Sequence, residues 1–209
     1  MAFEIDVACR LGDHMVSTRF TAAAPLVALF GPSGAGKTSV LNMVAGLLRP
    51  DRGRIAVDGE VLFDSATGID LAVPARRAGY VFQDDRLFPH LRVQDNLLYG
   101  WKLAPADRRR MTVDEACRFL DIGHLLGRWP RTLSGGEARR VAIGRALLSG
   151  ARFLLMDEPL TSLDRARCEE ILRVIERLRD ELGLPVLYVS HDRAEVERLT
   201  PAIIAMERA

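Results

Sequence analysis

The residue types and spacing of a phosphate-binding loop occur in one stretch of the chain, which consists of Gly31, Pro32, Ser33, Gly34, Ala35, Gly36, Lys37 and Thr38. Its glycines allow the backbone to curl so that successive N–H groups point at phosphate oxygens. Lys37 would then reach the β- and γ-phosphates of a nucleotide, and the Thr38 hydroxyl would bind Mg²⁺. Ser39 follows directly and is included in the predicted cradle. A glycine-rich turn with an exposed lysine is the alternative interpretation.

The elements on either side of this loop have the order that the chemistry requires. An apolar run at residues 26–30 precedes the loop and predicts a buried strand, and residues 39–47 predict a helix. A helix that begins near Thr38 would direct the positive end of its dipole at the bound phosphates.

Three further predicted strands end in polar side chains, and ligands of open α/β sheets gather at the carboxyl ends of strands. Asp157 follows an apolar run and suits Mg²⁺, and Glu158 could orient and deprotonate an attacking water. His191 could bond the γ-phosphate, and the amide of Gln83 could touch Mg²⁺ or water. An acidic turn at residues 157–159 and a structural histidine are the alternatives.

A second candidate anion site precedes the helix predicted at residues 138–148 and consists of Ser134, Gly135, Gly136 and Glu137. A serine hydroxyl and glycine N–H groups at a helix start can bind an anion. The same residues also suit an ordinary serine N-cap with an acidic partner three residues later. Both interpretations stay open on the residues alone.

Strands that alternate with helices predict an α/β fold with a mostly parallel, doubly wound core. An antiparallel subdomain is predicted at its edge from short strands at residues 3–7, 15–20, 54–57 and 60–63. Residues 84–140 are predicted to form a helical subdomain between core segments 1–83 and 141–209, within a single domain 1–209. The run Arg108, Arg109 and Arg110 is predicted to be a solvated turn.

Composition excludes several classes of protein. With 209 residues, 48% of them apolar, the chain can bury one sizeable core. A net charge of +1 argues against a general nucleic-acid surface. The three scattered cysteines suit a reducing compartment, and no apolar run approaches the roughly 20 residues that span a bilayer.

Taken together, the motifs resemble those of the nucleotide-binding subunit of an ATP-binding-cassette (ABC) transporter, over almost the whole chain. The resemblance makes residues 31–38 the Walker A motif, Gln83 the Q-loop and residues 133–137 the family signature. It makes residues 153–157 the Walker B motif and Glu158 the catalytic glutamate. Ser162, Leu163 and Asp164 match the D-loop, and His191 matches the switch histidine. It implies a P-loop ATPase core that binds ATP and Mg²⁺, with Lys37, Gln83, Glu158 and His191 in catalysis.

Within that family the chain is similar to the ATPase subunits of molybdate importers at residues 79–84, 86–90, 133–137, 139–148 and 187–191. It departs in having Leu11, with His14 nearby, where members often carry an aromatic ring that stacks on adenine, so the adenine contact stays open. Glu137 replaces the glutamine of many signatures. The sequence also ends at Ala209, before the regulatory β-domain of molybdate-type subunits, as a truncated chain or a short variant would.

The resemblance implies a homodimer in which each signature segment covers ATP held by the partner's loop. It also implies a peripheral location on the cytoplasmic face of the membrane, bound to a permease that residues 84–99 contact through Leu87, Phe88 and Pro89, and indirectly linked to a substrate-binding protein. Packing of Leu87 and Phe88 into the helical core is the alternative. An importer of another oxyanion such as sulfate, a soluble ABC ATPase and a non-hydrolysing scaffold are the alternative functions, and no nucleic-acid partner is expected.

Overall fold

A computed structural model describes residues 2–207. The terminal residues of the predicted domain 1–209, which are Met1, Arg208 and Ala209, lie outside the described residues. The first half of the chain contains β1 (Phe3–Leu11), β2 (His14–Ala22), β3 (Leu26–Phe30), α1 (Lys37–Ala45), β4 (Arg52–Val57), β5 (Glu60–Asp64), β6 (Ile69–Asp70), α2 (Val73–Arg76), β7 (Ala78–Val81) and α3 (Val93–Leu103). The second half contains α4 (Val113–Leu120), α5 (Gly135–Leu148), β8 (Phe153–Asp157), α6 (Arg165–Glu181), β9 (Val186–Ser190), α7 (Arg193–Leu199) and β10 (Ile203–Ala205).

The predicted parallel core is confirmed as a five-stranded sheet in the order β10-β3-β9-β8-β7. Its pairing is parallel throughout, and Phe30 at the end of β3 pairs with Ser190 at the end of β9. Asp157 at the end of β8 pairs with Val189, and Val81 at the end of β7 pairs with Met156. The carboxyl ends of four adjacent strands therefore form one edge.

The predicted antiparallel subdomain is confirmed as a second five-stranded sheet, in the order β2-β1-β4-β5-β6. Helix α1 contributes Val40 and Leu41 to the apolar cluster that also contains Phe3 of β1 and Phe153 of β8. The rings of Phe3 and Phe153 meet edge to face with centroids 6.3 Å apart. Because α1 fills one face of each sheet, the two sheets bury their apolar sides in a common core.

The helical region packs on the other side of the parallel sheet, and one continuous apolar cluster joins Leu154 of β8 to Leu97 of α3 and Leu120 of α4. A Cβ at Gly144 of α5 would lie 2.9 Å from Leu97 and Leu120, so glycine permits the close approach of three helices. The proposed limits of the helical subdomain at residues 84 and 140 stay a prediction.

Several predicted boundaries are wrong by a few residues for local reasons. The sequence pattern over residues 111–120 predicts a helix, which begins only at Val113 because Thr112 and Glu115 form a capping box before it. The pattern over residues 122–126 also predicts a helix, but residues 123–125 form a short 3₁₀ turn. The short elements β6 and α2 carry no strong pattern in the sequence and are not predicted.

The three cysteines are free thiols. Within residues 2–207 no helix combines the length and the apolar character needed to cross a bilayer.

Candidate nucleotide site

The glycine-rich loop folds around the amine of its own lysine. Lys37 Nζ donates hydrogen bonds to the carbonyl oxygens of Gly31 (2.7 Å) and Pro32 (2.9 Å), and the Lys37 side chain is only 4% exposed. The alternative of a glycine turn with an exposed lysine is therefore wrong. Gly36 has φ of 85°, and a Cβ there would lie 2.6 Å from Val16 of β2, so both its conformation and its packing favour glycine.

The first turn of α1 meets the end of β8. The Thr38 hydroxyl donates a 2.9 Å hydrogen bond to Oδ1 of Asp157. Burial raises the pKa of Asp157, and the hydrogen bond from Thr38 opposes this shift. Hydroxyl and carboxylate oxygens are ligands that Mg²⁺ accepts together with phosphate and water. The pair therefore fits a magnesium site that is completed by a nucleotide.

The Glu158 side chain contacts residues from three separate parts of the chain. Its carboxylate oxygens lie 3.8 Å from Lys37 Nζ and 3.1 Å from Nδ1 of His191, and its Oε2 accepts a 3.2 Å hydrogen bond from the Thr161 hydroxyl. Glu158 itself has φ of 45°, a left-handed conformation that is uncommon for a residue with a side chain. Its N–H donates to the carbonyl of Val189 in β9, which anchors this strained residue on the sheet. The acidic-turn alternative thus holds for the local backbone, while the side chain faces the site.

The exposed side chain of Gln83 belongs to the same edge. Gln83 lines a cavity of about 560 Å³ together with Thr38, Asp157, Tyr80 and Phe82. The Tyr80 hydroxyl donates to Oδ1 of Asn42 on α1 at 3.0 Å, and this contact is not visible in any sequence pattern. The cavity is therefore bounded by α1, β7 and the end of β8.

A half-buried carboxylate lies behind the predicted histidine. Oε2 of Glu195 on α7 accepts hydrogen bonds from the hydroxyls of Ser190 (2.7 Å) and Tyr188 (3.0 Å). Ser190 Oγ in turn accepts the N–H of Asp192, so the network brackets His191. Burial raises the pKa of Glu195, and the two hydroxyls oppose that shift. The helical spacing in this segment gives no sign of this role.

The second candidate anion site forms a capping box at the start of α5. Ser134 Oγ accepts the N–H of Glu137 at 3.3 Å, and Oε2 of Glu137 accepts the N–H of Ser134 at 2.7 Å. This hydrogen bond from Ser134 lowers the pKa of Glu137. A Cβ at Gly135 would lie 2.8 Å from Leu163, and one at Gly136 3.4 Å from the Arg167 side chain. The segment therefore packs beside the start of α6, and the N-cap interpretation describes its geometry in the single chain.

The remaining predicted residues lie in the loop itself, on the first turn of α1 and at the β1–β2 turn. Ser33 and Gly34 are exposed at its tip, Ala35 is buried beneath it, and Ser39 lies half-buried on the first turn of α1. Leu11 and His14 pair across the β1–β2 turn, with Leu11 half-buried and His14 exposed.

The sequence of the chain matches one protein family. The family model described as ABC transporter matches residues 19–161. The chain is 55% identical over 206 residues to the molybdenum import ATP-binding protein ModC of Mesorhizobium japonicum, a match covering 99% of this chain and 56% of that protein. The chain spans about half the length of the curated relatives it matches.

Solved structures give the same fold. The dimeric bacterial ABC transporter cassette MJ0796 superposes with a TM-score of 0.79 at 26% identity, covering 99% of this chain and 94% of that one. A dimeric post-hydrolysis state of the same cassette, bound to ADP and Pi, superposes equally well, with 100% and 96% coverage.

Proposed function

The chain belongs to the ABC transporter family, and from that premise we propose that it is the ATP-hydrolysing subunit of an importer that takes up an oxyanion, molybdate in particular. The observation that carries the proposal is the convergence of Lys37, Thr38, Asp157, Glu158 and His191 at the carboxyl ends of three parallel strands and the start of one helix. The superposition on a cassette bound to ADP and Pi supports a nucleotide in this place.

Each side chain has a distinct part in hydrolysis. The N–H groups of the loop and the amine of Lys37 would bind the β- and γ-phosphates, with Lys37 exchanging a carbonyl contact for a phosphate oxygen. Thr38, Asp157 and Gln83 would hold Mg²⁺, which when bound supplies positive charge next to the phosphate oxygens.

Glu158 would orient the attacking water and accept its proton. Its contacts with His191 and Thr161 restrict the carboxylate to one orientation before substrate arrives, and such preorganisation favours the transition state. His191 would also reach the γ-phosphate, since its exposed ring lies at the mouth of the site.

Two copies would assemble head to tail, each placing the residues from Ser134 to Glu137 over the ATP of the other. The dimeric neighbour supports a dimer, and the capping box at Ser134 gives the segment a fixed shape that a second copy could receive.

A permease would dock in a groove of about 640 Å³ between α2, α3 and α5. Its lining includes Phe88, Tyr99 and Leu103, of which Tyr99 is 51% and Leu103 74% exposed, so large apolar groups face water there. Leu87, by contrast, packs against the core, so the docking prediction fits Phe88 and not Leu87. A short apolar helix on the cytoplasmic side of the permease would occupy the groove and hold the chain at the membrane, with the substrate-binding protein on the other side.

Molybdate is proposed as the substrate because the relatives that match nearly all of this chain at 50–55% identity carry that function in their names. Sulfate import and a soluble ABC ATPase are the other candidates, and neither has a supporting observation here.

Uptake measurements test this proposal. Cells that lose the gene for this chain should stop accumulating radiolabelled molybdate, and a copy with Glu158→Gln should not restore uptake, while sulfate uptake stays normal. If the cells lost only sulfate uptake, the transported anion would be sulfate and not molybdate. Normal uptake of both anions, with ATPase activity in the purified chain, would favour a soluble ATPase.

A further inference from the structure

We propose that Arg139 is a positioning residue for Gln83: from helix α5 it fixes the backbone of the loop that carries Gln83 into the nucleotide cavity. The inference rests on the proposed function for the role of Gln83 itself. It concerns the segment 82–86, which follows β7, and two arginines of α5 that form a clamp on this segment.

Arg139 makes the central contacts of the clamp. Its Nη1 donates to the carbonyl of Phe82 at 2.7 Å, its Nη2 donates to the carbonyl of Gln83 at 2.8 Å, and its Nε lies 3.0 Å from Oδ1 of Asp85. The Arg139 side chain is only 3% exposed. A buried guanidinium is costly unless its charge and its donors are matched. Here two carbonyls accept the Nη donors and the Asp85 carboxylate balances the charge, while the contact between Nε and Oδ1 lacks hydrogen-bond geometry.

Arg145 extends the clamp along the same helix. Its Nη1 donates to the carbonyl of Arg86 at 2.6 Å and its Nη2 to the carbonyl of Asp85 at 2.9 Å. The two arginines thus bind four carbonyl groups within five consecutive residues. Such an arrangement fixes the path of the backbone rather than the position of any one side chain.

The clamped segment has a conformation that needs support. Asp85 and Arg86 have φ of 57° and 46°, in the left-handed region where residues with side chains are strained. The Asp85 N–H donates to the carbonyl of Phe82 at 3.1 Å, the same carbonyl that Arg139 binds. Loss of Arg139 would therefore remove one hydrogen bond from the carbonyl that closes this turn and another from Gln83 within it.

The clamp connects Gln83 both to the nucleotide cavity and to helix α5. Its side chain lines the cavity beside Thr38 and Asp157, while its carbonyl is held by a helix whose N-cap is Ser134. Arg145 also lines the groove proposed for the permease. A shift of α5 would therefore carry Gln83 with it, towards or away from the nucleotide.

The geometry distinguishes arginine from lysine at residue 139. A guanidinium presents several donors in one plane, so it can bind two carbonyls and a carboxylate together, whereas an ammonium retains the charge without the fork. Arg139→Lys therefore keeps the buried charge but loses some of the hydrogen bonds to the segment 82–86. It provides a milder variant if Arg139→Ala does not fold.

The first experiment measures hydrogen exchange of the backbone amides at residues 82–86 in the full chain. We expect exchange at Asp85 to be about tenfold faster in Arg139→Ala and about threefold faster in Arg139→Lys than in wild type. Arg177→Ala is the matched control, because Arg177 donates to the carbonyl of Phe119 and so joins α6 to α4 instead. Unchanged exchange in both Arg139 variants would overturn the proposal whether or not the chain hydrolyses ATP.

The second experiment uses steady-state ATPase kinetics and a double-mutant cycle with Gln83→Ala. If Arg139 acts through Gln83, Arg139→Ala lowers kcat about tenfold with KM for ATP within about twofold of wild type, and it costs nothing further in the Gln83→Ala background. Losses that multiply in the double variant would overturn the positioning role. A wild-type chain with no ATPase activity would refute the proposed function, and the exchange measurement would still decide whether Arg139 holds the segment.

Discussion

The hydroxyl of Thr38 donates a 2.9 Å hydrogen bond to Asp157, a residue 119 positions away in the sequence. Strand β9 lies between the strands that lead to these two residues, so they do not meet through neighbouring strands. They meet because the first turn of α1 extends over the edge of the sheet. A hydrogen bond between them fixes the distance between the phosphate-binding loop and the carboxylate before any ligand binds.

Replacement of Lys37 by alanine should abolish tight nucleotide binding. The amine is buried and already holds two loop carbonyls, so its loss removes both a phosphate contact and the support of the loop. We expect affinity for Mg-ATP to fall about 100-fold, which corresponds to about 2.7 kcal/mol. Isothermal titration calorimetry measures this. Lys102→Ala is the matched control, because Lys102 is the only other lysine of the chain and is exposed on α3. Native affinity in Lys37→Ala would contradict the phosphate cradle.

Glu158→Gln should separate binding from hydrolysis. The amide keeps the size of the side chain and can still bond Thr161, but it cannot accept a proton from water. We expect kcat to fall by about 10²–10⁴, with binding of Mg-ATP retained. Release of inorganic phosphate measures kcat. Glu197→Gln makes the same chemical change on the exposed face of α7 and should leave kcat unaltered. Normal turnover in Glu158→Gln would exclude Glu158 as the base.

The phosphate-binding loop could be located from the sequence because its function depends on a local pattern. Glycine positions, a lysine and a hydroxyl at fixed spacing suffice, and the flanking apolar runs predict the strand and the helix correctly. The same holds for Asp157, the last residue of a fully buried strand, and for Glu158 directly after it. Residue types at fixed spacing along the chain are enough to find these motifs.

The groups that orient the site could not be predicted in this way. Thr161 bonds Glu158 through a turn whose shape follows from the left-handed conformation at residue 158, and no residue type announces that conformation. Arg139 lies 56 residues from Gln83, and an arginine on a helix is far more often solvated than buried. Contacts of this kind arise from tertiary packing and leave no periodic trace.

The half-buried carboxylate of Glu195 should make stability depend on pH. Burial raises the pKa of Glu195 in the folded chain above that of the unfolded chain, so the folded state binds this proton more tightly. The stability gained from the protonated group is complete below the unfolded value and is lost as pH rises through the folded value. Urea denaturation at a series of pH values should show wild type losing free energy of unfolding relative to Glu195→Gln as pH rises above 4.5, the ordinary value. A constant difference between the two proteins would contradict the shift.

Mixing two inactive variants should restore activity if the site is shared between two copies of the chain. Ser134→Asp retains the N-cap of α5 but directs a negative charge at the partner's phosphate, and Lys37→Ala disables the chain's own loop. Equal amounts of the two would give heterodimers in which one site carries both changes and the other carries neither. We expect ATPase activity to return to about a quarter of that of wild type, since half of the dimers are mixed and half of their sites are intact. If the segment from Ser134 to Glu137 served the loop of its own chain, every site would carry one of the two changes, and the mixture would stay as inactive as its components.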